Sequence, residues 1–377
     1  MSTPPLLTLD IGATKIACAI GVPHTQTNGF ELLGTSLVAF PTPTDTEWPD
    51  PLVLAQTIEQ AVEATGVSAD FVAAHVVFTH GHLRSEQVQV SIPVADEPIA
   101  VRTQDLERLQ AAALHQVLGV DREGLLIERL GCSGNGFERV RDPRGLPATR
   151  LHGLFHILTV PMAVRRLLSQ ALEACGLEAS DLAYALPSAF AAVYEEGMEH
   201  KRVLLVDAGG VTTDMGLFAD GMLQSAATVR WGGALLAQAI ARTCQTTLDQ
   251  ALSWSLEGAA CRKSEAVAVI QEGWQRLEAP LKQVLAGKPA PDAVIICGRA
   301  GLLDGFAEWL ERAAGAPTSV GRHPRAHRFG DLSRQVGLST ALGRLELACA
   351  RPSSERRSAH LPGRVIRRTK SVLAEYF

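Results

Sequence analysis

The apolar residues of this chain gather into short continuous runs more often than they alternate. Residues 6–11 (Leu-Leu-Thr-Leu-Asp-Ile) and 203–208 (Val-Leu-Leu-Val-Asp-Ala) are two such runs. Each carries an Asp near its end, passes through a Gly-containing turn and re-enters an apolar run, at 16–20 and at 215–218. That pattern predicts strand, tight turn, strand, twice over. Further strands are expected at 72–79, 154–159 and 293–297, and residues 88–92 alternate like a half-exposed strand. Helical periods occupy 52–65, 103–118, 161–175 (stopped by Gly176), 182–196 (interrupted near Pro187), most of 235–285, and 339–349. Thr103 and its neighbours supply the cap of the second of these. Between 84 and 160 the texture changes: short strands and a loop-rich stretch at 119–153 surround one helix, which reads as a small inserted α+β unit.

The repeated hairpins carry the first candidate chemistry. Glycine lets a turn backbone approach a ligand closely, because no Cβ intervenes. Successive backbone N–H groups and Thr hydroxyls then suit phosphate oxygens, and a carboxylate suits a hydrated Mg²⁺. The candidates are Asp10, Gly12, Ala13, Thr14 and Lys15 in the first copy, and Asp207, Gly209, Gly210, Thr212 and Thr213 in the second. Asp10 and Asp207 are the expected metal-side carboxylates, acting through water. Two such hairpins from two lobes would grip one polyphosphate from both sides. A third glycine turn, Gly298-Arg299-Ala300 after the 293–297 strand, suits a flat base laid against backbone.

Composition narrows the class. The chain has 377 residues, 46% hydrophobic, enough to bury two substantial cores. A net charge of −5 argues against a global electrostatic footprint for nucleic acid. Seven cysteines without a CxxC pair read as reduced thiols. The residues before the first strand lack the basic region of a secretory leader, and no apolar run approaches the ~18–20 residues of a bilayer span. His75, His80 and His82 match no strong zinc spacing and read as strand and turn residues.

The end of the chain carries the second signal. After a polar stretch at 351–363 containing Arg351, Arg356 and Arg357, the large apolar residues Val365, Ile366, Val372, Leu373, Tyr376 and Phe377 fall on one helical arc of roughly 140°. Arg367, Arg368 and Lys370 lie on its flanks and back. This suits a helix lying in a membrane interface with its bases on anionic headgroups. The competing reading is a terminal helix docked on the protein's own surface. Ordering a single short tail offsets most of its insertion energy, so several tails held on one polymer would bind far better than one.

The order of the three glycine sites is similar to that of the actin/Hsp70/sugar-kinase ATPase superfamily, and within it the chain resembles the FtsA family of bacterial cell-division proteins. Thr79-His80-Gly81-His82-Leu83-Arg84-Ser85 resembles that family's entry into its inserted domain. Asp142-Pro143-Arg144-Gly145-Leu146 and His156-Ile157-Leu158-Thr159 resemble its following loop and strand, and Trp231-Gly232-Gly233-Ala234 a Gly-Gly-Asn-type turn that adds Gly233 to the candidates. The resemblance implies an α/β, actin-like two-lobed ATPase fold of two RNase H-like domains with a small inserted α+β subdomain. The first lobe (1A) would take 1–82, 160–196 and 335–350, the insertion (1C) 83–159, and the second lobe (2A) 197–235 and 289–334. A shortened subdomain 2B would take 236–288, followed by a linker at 351–363 and a membrane-targeting helix at 364–377.

It further implies ATP and Mg²⁺ as cofactors, and as partners the FtsZ C-terminal peptide, other copies of the chain as a homopolymer, anionic membrane lipids and other divisome membrane proteins. The location implied is the cytoplasmic face of the cell membrane at the division site. The chain departs from the family at Val211, where a third glycine is expected, and at Arg299 in the Gly-Gly of the adenosine site. Tyr184-Ala185 replaces an acidic position, and Ser253 stands where a ribose-side Lys is expected. Nucleotide binding with at most slow hydrolysis is the resulting expectation. The alternatives are a PilM-like scaffold for a membrane assembly, which lacks such a tail, and a sugar kinase. Residues 9–16 resemble the opening of the ROK kinases, but no mid-chain Asp beside Asn and no Cys-rich zinc motif accompany them.

Overall fold

The structure is a computed structural model that describes residues 4–24, 29–40, 48 and 50–350. The predicted tail at 364–377 and its linker at 351–363 lie outside the described residues. The chain begins with β1 (Leu6–Ile11), β2 (Lys15–Pro23), β3 (Phe30–Ala39), α1 (Pro51–Glu63) and β4 (Ala73–Phe78). The inserted unit follows: β5 (Arg84–Pro93), β6 (Ile99–Ala100), α2 (Thr103–Val117), β7 (Arg122–Gly134), β8 (Phe137–Val140), β9 (Pro147–Ala148) and β10 (Arg150–Pro161). Then come α3 (Met162–Ala174), β11 (Glu178–Tyr184) and α4 (Ala185–Val193). The second lobe holds β12 (Val203–Ala208), β13 (Thr213–Ala219), β14 (Met222–Val229), α5 (Gly233–Thr243), α6 (Leu248–Glu257), α7 (Ser264–Gln275), α8 (Glu278–Leu285), β15 (Ala293–Cys297), α9 (Phe306–Ala314) and β16 (Thr318–Val320). The last helix, α10 (Leu332–Ala350), returns to the first lobe.

Both lobes are built on one plan. The first sheet runs β11-β4-β1-β2-β3 and the second β16-β15-β12-β13-β14. In each, the hairpin is antiparallel and the next two strands on the other side are parallel to its first strand. Strands β1 and β12 are central, so both faces are covered and their sequences are nearly continuous apolar runs. Helices α4 and α10 follow the last strand of each sheet and cross closely. A Cβ on Gly343 would stand 2.0 Å from the Ser188 carbonyl oxygen, so glycine is what lets the two helices meet. Ala17 and Ala19 pack with Leu338, Leu342 and Leu345 of α10 in one buried cluster.

The inserted unit is its own small sheet, β5-β10-β7-β8, with α2 on one face and Leu109, Phe155 and Ile157 in its core. It is tied to the second lobe by a polar relay. The Ala226 amide donates to Ser85 Oγ (3.3 Å), Ser85 Oγ lies 2.8 Å from His156 Nε2, and His156 Nδ1 lies 3.0 Å from the Leu223 carbonyl. A neutral imidazole protonated at Nδ1 satisfies every member.

Four local expectations are corrected. Residues 182–196 are not one helix. They are the end of β11 followed by α4, with Pro187 in the first turn, where its missing N–H costs nothing. Residues 119–153 are not loop-rich, because β7 is a 13-residue strand paired along β10. The cap of α2 comes from Asp105, whose carboxylate accepts the Arg102 amide (3.0 Å), and not from Thr103. Finally, β3 and β14 extend both hairpins into three-stranded meanders that the apolar pattern did not reveal.

Candidate functional site

The two hairpin turns meet in the cleft between the lobes. In the first, the Gly12 amide donates to the Lys15 carbonyl (3.0 Å); in the second, the Gly209 amide donates to the Thr212 carbonyl (2.9 Å). Asp10 pairs with Ala17 in one ladder and Asp207 with Asp214 in the other, at the same ladder position in both copies. The turns face each other so closely that a Cβ on Gly210 would stand 2.4 Å from Thr14 Cγ2. Among the described residues, the amides of Ala13, Thr14, Gly210 and Val211 have no backbone acceptor. Of these residues, Ala13, Thr14 and Gly210 line the cleft, and backbone donors there suit anionic oxygens.

The cleft holds a cavity of about 550 Å³, a size suited to a small-molecule ligand. Asp10, Gly12, Ala13, Thr14, Lys15, Asp207, Gly209, Gly210, Thr212, Gly233, Gly298, Arg299 and Ala300 all line it. Thr213 does not: its hydroxyl donates to the Trp231 carbonyl (2.9 Å) inside the lobe. Val211 does not line it either. Its side chain is fully buried, and its φ is not positive. Valine therefore carries no backbone penalty where the resembled family has glycine. Ser253 is exposed on α6, and Ser255 is the residue that faces the cavity.

Charge where the two turns meet is unbalanced. Asp10, Asp207 and Asp214 converge there. Burial raises all three pKa values, and that of Asp207 is pushed up to about 7 by burial together with Asp10 and Asp214. Lys15 answers part of this: its Nζ lies 3.7 Å from Asp10 Oδ2 and donates to the Gly337 carbonyl of α10 (2.9 Å). Asp214 is held from behind, because Tyr184 OH donates to its Oδ1 (2.8 Å) and the Thr228 hydroxyl donates to the same oxygen. Crowded, partly desolvated carboxylates facing free amides are the donor set of a cation–polyphosphate pair.

The second turn is bolted to α5. The Gly233 amide donates to the Gly209 carbonyl (3.0 Å) and the Ala234 amide to the Gly210 carbonyl (2.8 Å). Gly298, at φ +75°, would place a Cβ 2.3 Å from the Ala208 carbonyl oxygen and 2.4 Å from Asp207 Oδ1, so only glycine fits there. The cavity also has an apolar lining, supplied by Leu248, Leu252 and Leu256 of α6 and Val336 of α10.

Several site residues are not evident from sequence. Asp214 sits in the repeated motif yet outside the predicted set. Thr228 reaches the site only because β14 is registered with Asp214 opposite Thr228. The helix-spaced leucines of α6 are periodic, but nothing local says that they face a cleft.

Comparison with known proteins gives this geometry its class. The chain is similar to the solved PilM-PilN type IV pilus biogenesis complex, with a TM-score of 0.68 and 17% identity over 92% of this chain and 99% of that one. It is also similar to MreB5 of Spiroplasma citri bound to AMPPNP, with a TM-score of 0.51 and 11% identity over 92% and 96%. The fold is the actin-like one. The family model described as the SHS2 domain inserted in FtsA matches residues 80–159, from just before β5 to near the end of β10. The cell division protein FtsA of Neisseria meningitidis is 23% identical over 78% of both chains, and other FtsA matches span roughly half of their own length. The chain is a divergent relative of the FtsA cell-division proteins, with an actin-like body and their inserted domain.

Proposed function

We infer that this chain is an actin-like, ATP-binding cell-division protein that polymerises and ties the FtsZ ring to the inner face of the cytoplasmic membrane. The observation that carries the reading is the FtsA-type SHS2 unit set into a body whose paired hairpin turns converge on one cleft. In that cleft, the free amides and the hydroxyls of Thr14 and Thr212 would hold the phosphates. Asp10 and Asp207 would hold Mg²⁺ through water, and the Gly298–Ala300 bend would take the base. Bound Mg²⁺ would neutralise the carboxylates that burial now disfavours. Tyr184 and Thr228 donate to one oxygen of Asp214, which offsets part of the basicity that burial gives it. The site therefore fits binding with at most slow hydrolysis, a switch for assembly rather than an engine.

For the FtsZ C-terminal peptide, a groove of about 260 Å³ between α5 and α7 offers Trp231 and Leu235 as an apolar floor and Arg230 and Arg242 on its rim, with Arg276 paired to Glu272 (2.8 Å). Arginines around an apolar floor suit an acidic peptide. Other divisome membrane proteins are partners that the same reading brings. The membrane contact belongs to residues 364–377. Among the described residues, no helix is long and apolar enough to cross a membrane. Deleting 364–377 is expected to abolish sedimentation with anionic liposomes while leaving nucleotide affinity intact. Unchanged sedimentation would sink the anchor.

A further inference from the structure

Arg299 is a cation in the wall of the cleft with nothing in the fold to hold. It lines the cavity and is exposed to solvent there. Among the described residues its guanidinium makes no hydrogen bond and no ion pair. The bend at Gly298 sends its side chain across to the first lobe: Arg299 Cδ lies 3.6 Å from where a Cβ on Gly337 of α10 would stand. Asp331, just before α10, attracts it, but that carboxylate caps the helix by accepting the Arg334 amide (2.9 Å). Lys15 also reaches Gly337, through its carbonyl (2.9 Å). A helix carbonyl points towards the C-terminal end, whereas Asp331 lies about 9 Å towards the N-terminal end. The two cations therefore diverge along α10: Lys15 stays with the hairpin turns and Arg299 leads away from them.

A guanidinium carries five N–H donors in a rigid planar fork and keeps its proton. Beside a cavity and without acceptors of its own, it calls for a ligand group that offers two acceptors side by side. The other polar groups of this wall are the hydroxyls of Ser333 and Thr340 and the amide of Gln238. Each can donate or accept, so they discriminate little. The carboxylates of the cavity, Asp10, Asp207 and Asp214, gather instead at the two turns. Purines differ in what they offer to such a fork. Guanine presents O6 and N7 as adjacent acceptors, whereas adenine presents N7 beside an N6 amino donor. The fork can engage both guanine acceptors; with adenine it meets one acceptor and one competing donor.

We propose that Arg299 reads the base of the bound nucleotide through the O6 and N7 acceptors of a 6-oxopurine, so that the cleft admits both purines and holds guanine nucleotides more tightly than adenine nucleotides. The inference rests on the nucleotide reading of the cleft and specifies the base edge that this cleft favours. Where the resembled family carries the second glycine of its pair, this chain gains donors.

Titration calorimetry of the full chain with Mg²⁺ and ATP, GTP, ITP or 7-deaza-GTP tests this. GTP should bind about tenfold more tightly than ATP. ITP keeps O6 and N7 and lacks the 2-amino group, so it should follow GTP. 7-deaza-GTP lacks N7 and should lose most of the advantage. Arg299→Gly should bring the GTP-to-ATP ratio to within about twofold of unity, and Arg299→Lys, which keeps the charge without the fork, should do nearly the same. Equal affinity of the intact chain for ATP and GTP overturns the base reading and leaves the nucleotide cleft standing. A loss shared equally by all four nucleotides in Arg299→Gly also overturns it, in favour of a phosphate contact. So does a guanine preference that survives in Arg299→Lys, or one that ITP does not share. Binding of none of the four removes the nucleotide cleft itself, and the base reading with it.

Discussion

The two hairpin turns share a backbone and differ in how they are held. The first, between β1 and β2, is tied to its surroundings by the Phe40 amide donating to the Thr14 carbonyl (3.1 Å) and by Lys15, which spans Asp10 and the Gly337 carbonyl. The second is fixed by its backbone and from behind. Its carbonyls cap α5, Thr213 is turned into the lobe, and Asp214 carries two hydroxyl donors. One duplicated element has thus become an adjustable jaw and a rigid one. A nucleotide clamp can close only if one side yields, and the first side is the one whose restraints are long, polar and replaceable.

The largest effect expected from this contrast lies at the rigid side. Gly298→Ala forces a Cβ into the Ala208 carbonyl and Asp207 at a positive φ. It should cost about 2–4 kcal/mol, read as a lower midpoint in urea unfolding. Gly12→Ala in the first turn meets its nearest atom at 3.2 Å with no positive φ, so it should cost under about 1 kcal/mol. Equal losses would mean that the two turns are held alike.

The seam behind the rigid side should show itself as a pH effect. Burial lowers the pKa of His156 to about 4 from 6.5, with the hydrogen bond to Leu223 opposing. The unfolded chain therefore takes up this proton from pH 6.5 downward, while the folded chain resists until about 4. The stabilisation is complete above 6.5 and is lost as pH falls through that window, by about 3 kcal/mol in total. His156→Gln should flatten this part of the stability–pH curve; a curve of unchanged slope would count against the neutral relay.

On the adjustable side the expected readout is affinity. Lys15→Met removes the cation paired with Asp10 beside the two turns and should weaken ATP binding about tenfold or more, measured by titration calorimetry, with little loss of stability. Thr213→Val should behave in the opposite way, leaving affinity unchanged and costing about 1 kcal/mol for the buried hydroxyl's lost bond to Trp231.

These contrasts also mark how far the sequence could be read. The turns, the apolar central strands and the inserted unit were legible because they depend on local pattern: an Asp-Gly turn between apolar runs looks the same wherever it folds. The restraints that distinguish the turns were not. The Thr213 hydroxyl goes to Trp231, Thr228 reaches Asp214 through the β13–β14 register, and Val211 points into the core. Each depends on a neighbouring strand or loop whose register no short window specifies. The 13-residue β7 was read as loop for a related reason. Its residues are mostly half-buried along its length, so the strand shows neither clean alternation nor a continuous apolar run.

The smallest effect tests the hold on Asp214 itself. Tyr184→Phe keeps the ring, which is buried in the core, and deletes only the hydroxyl that donates to Asp214. About 1 kcal/mol of stability should be lost, because Thr228 still donates to the same oxygen. The informative readout is hydrolysis. With one donor gone, Asp214 becomes a better proton acceptor, and slow ATP turnover should rise severalfold with its pH dependence shifted. If turnover stays flat while stability falls, Tyr184 only packs and braces the rigid jaw. If turnover rises, the replacement of an acidic residue by tyrosine at this point is what makes the cleft a holder of nucleotide rather than a consumer of it.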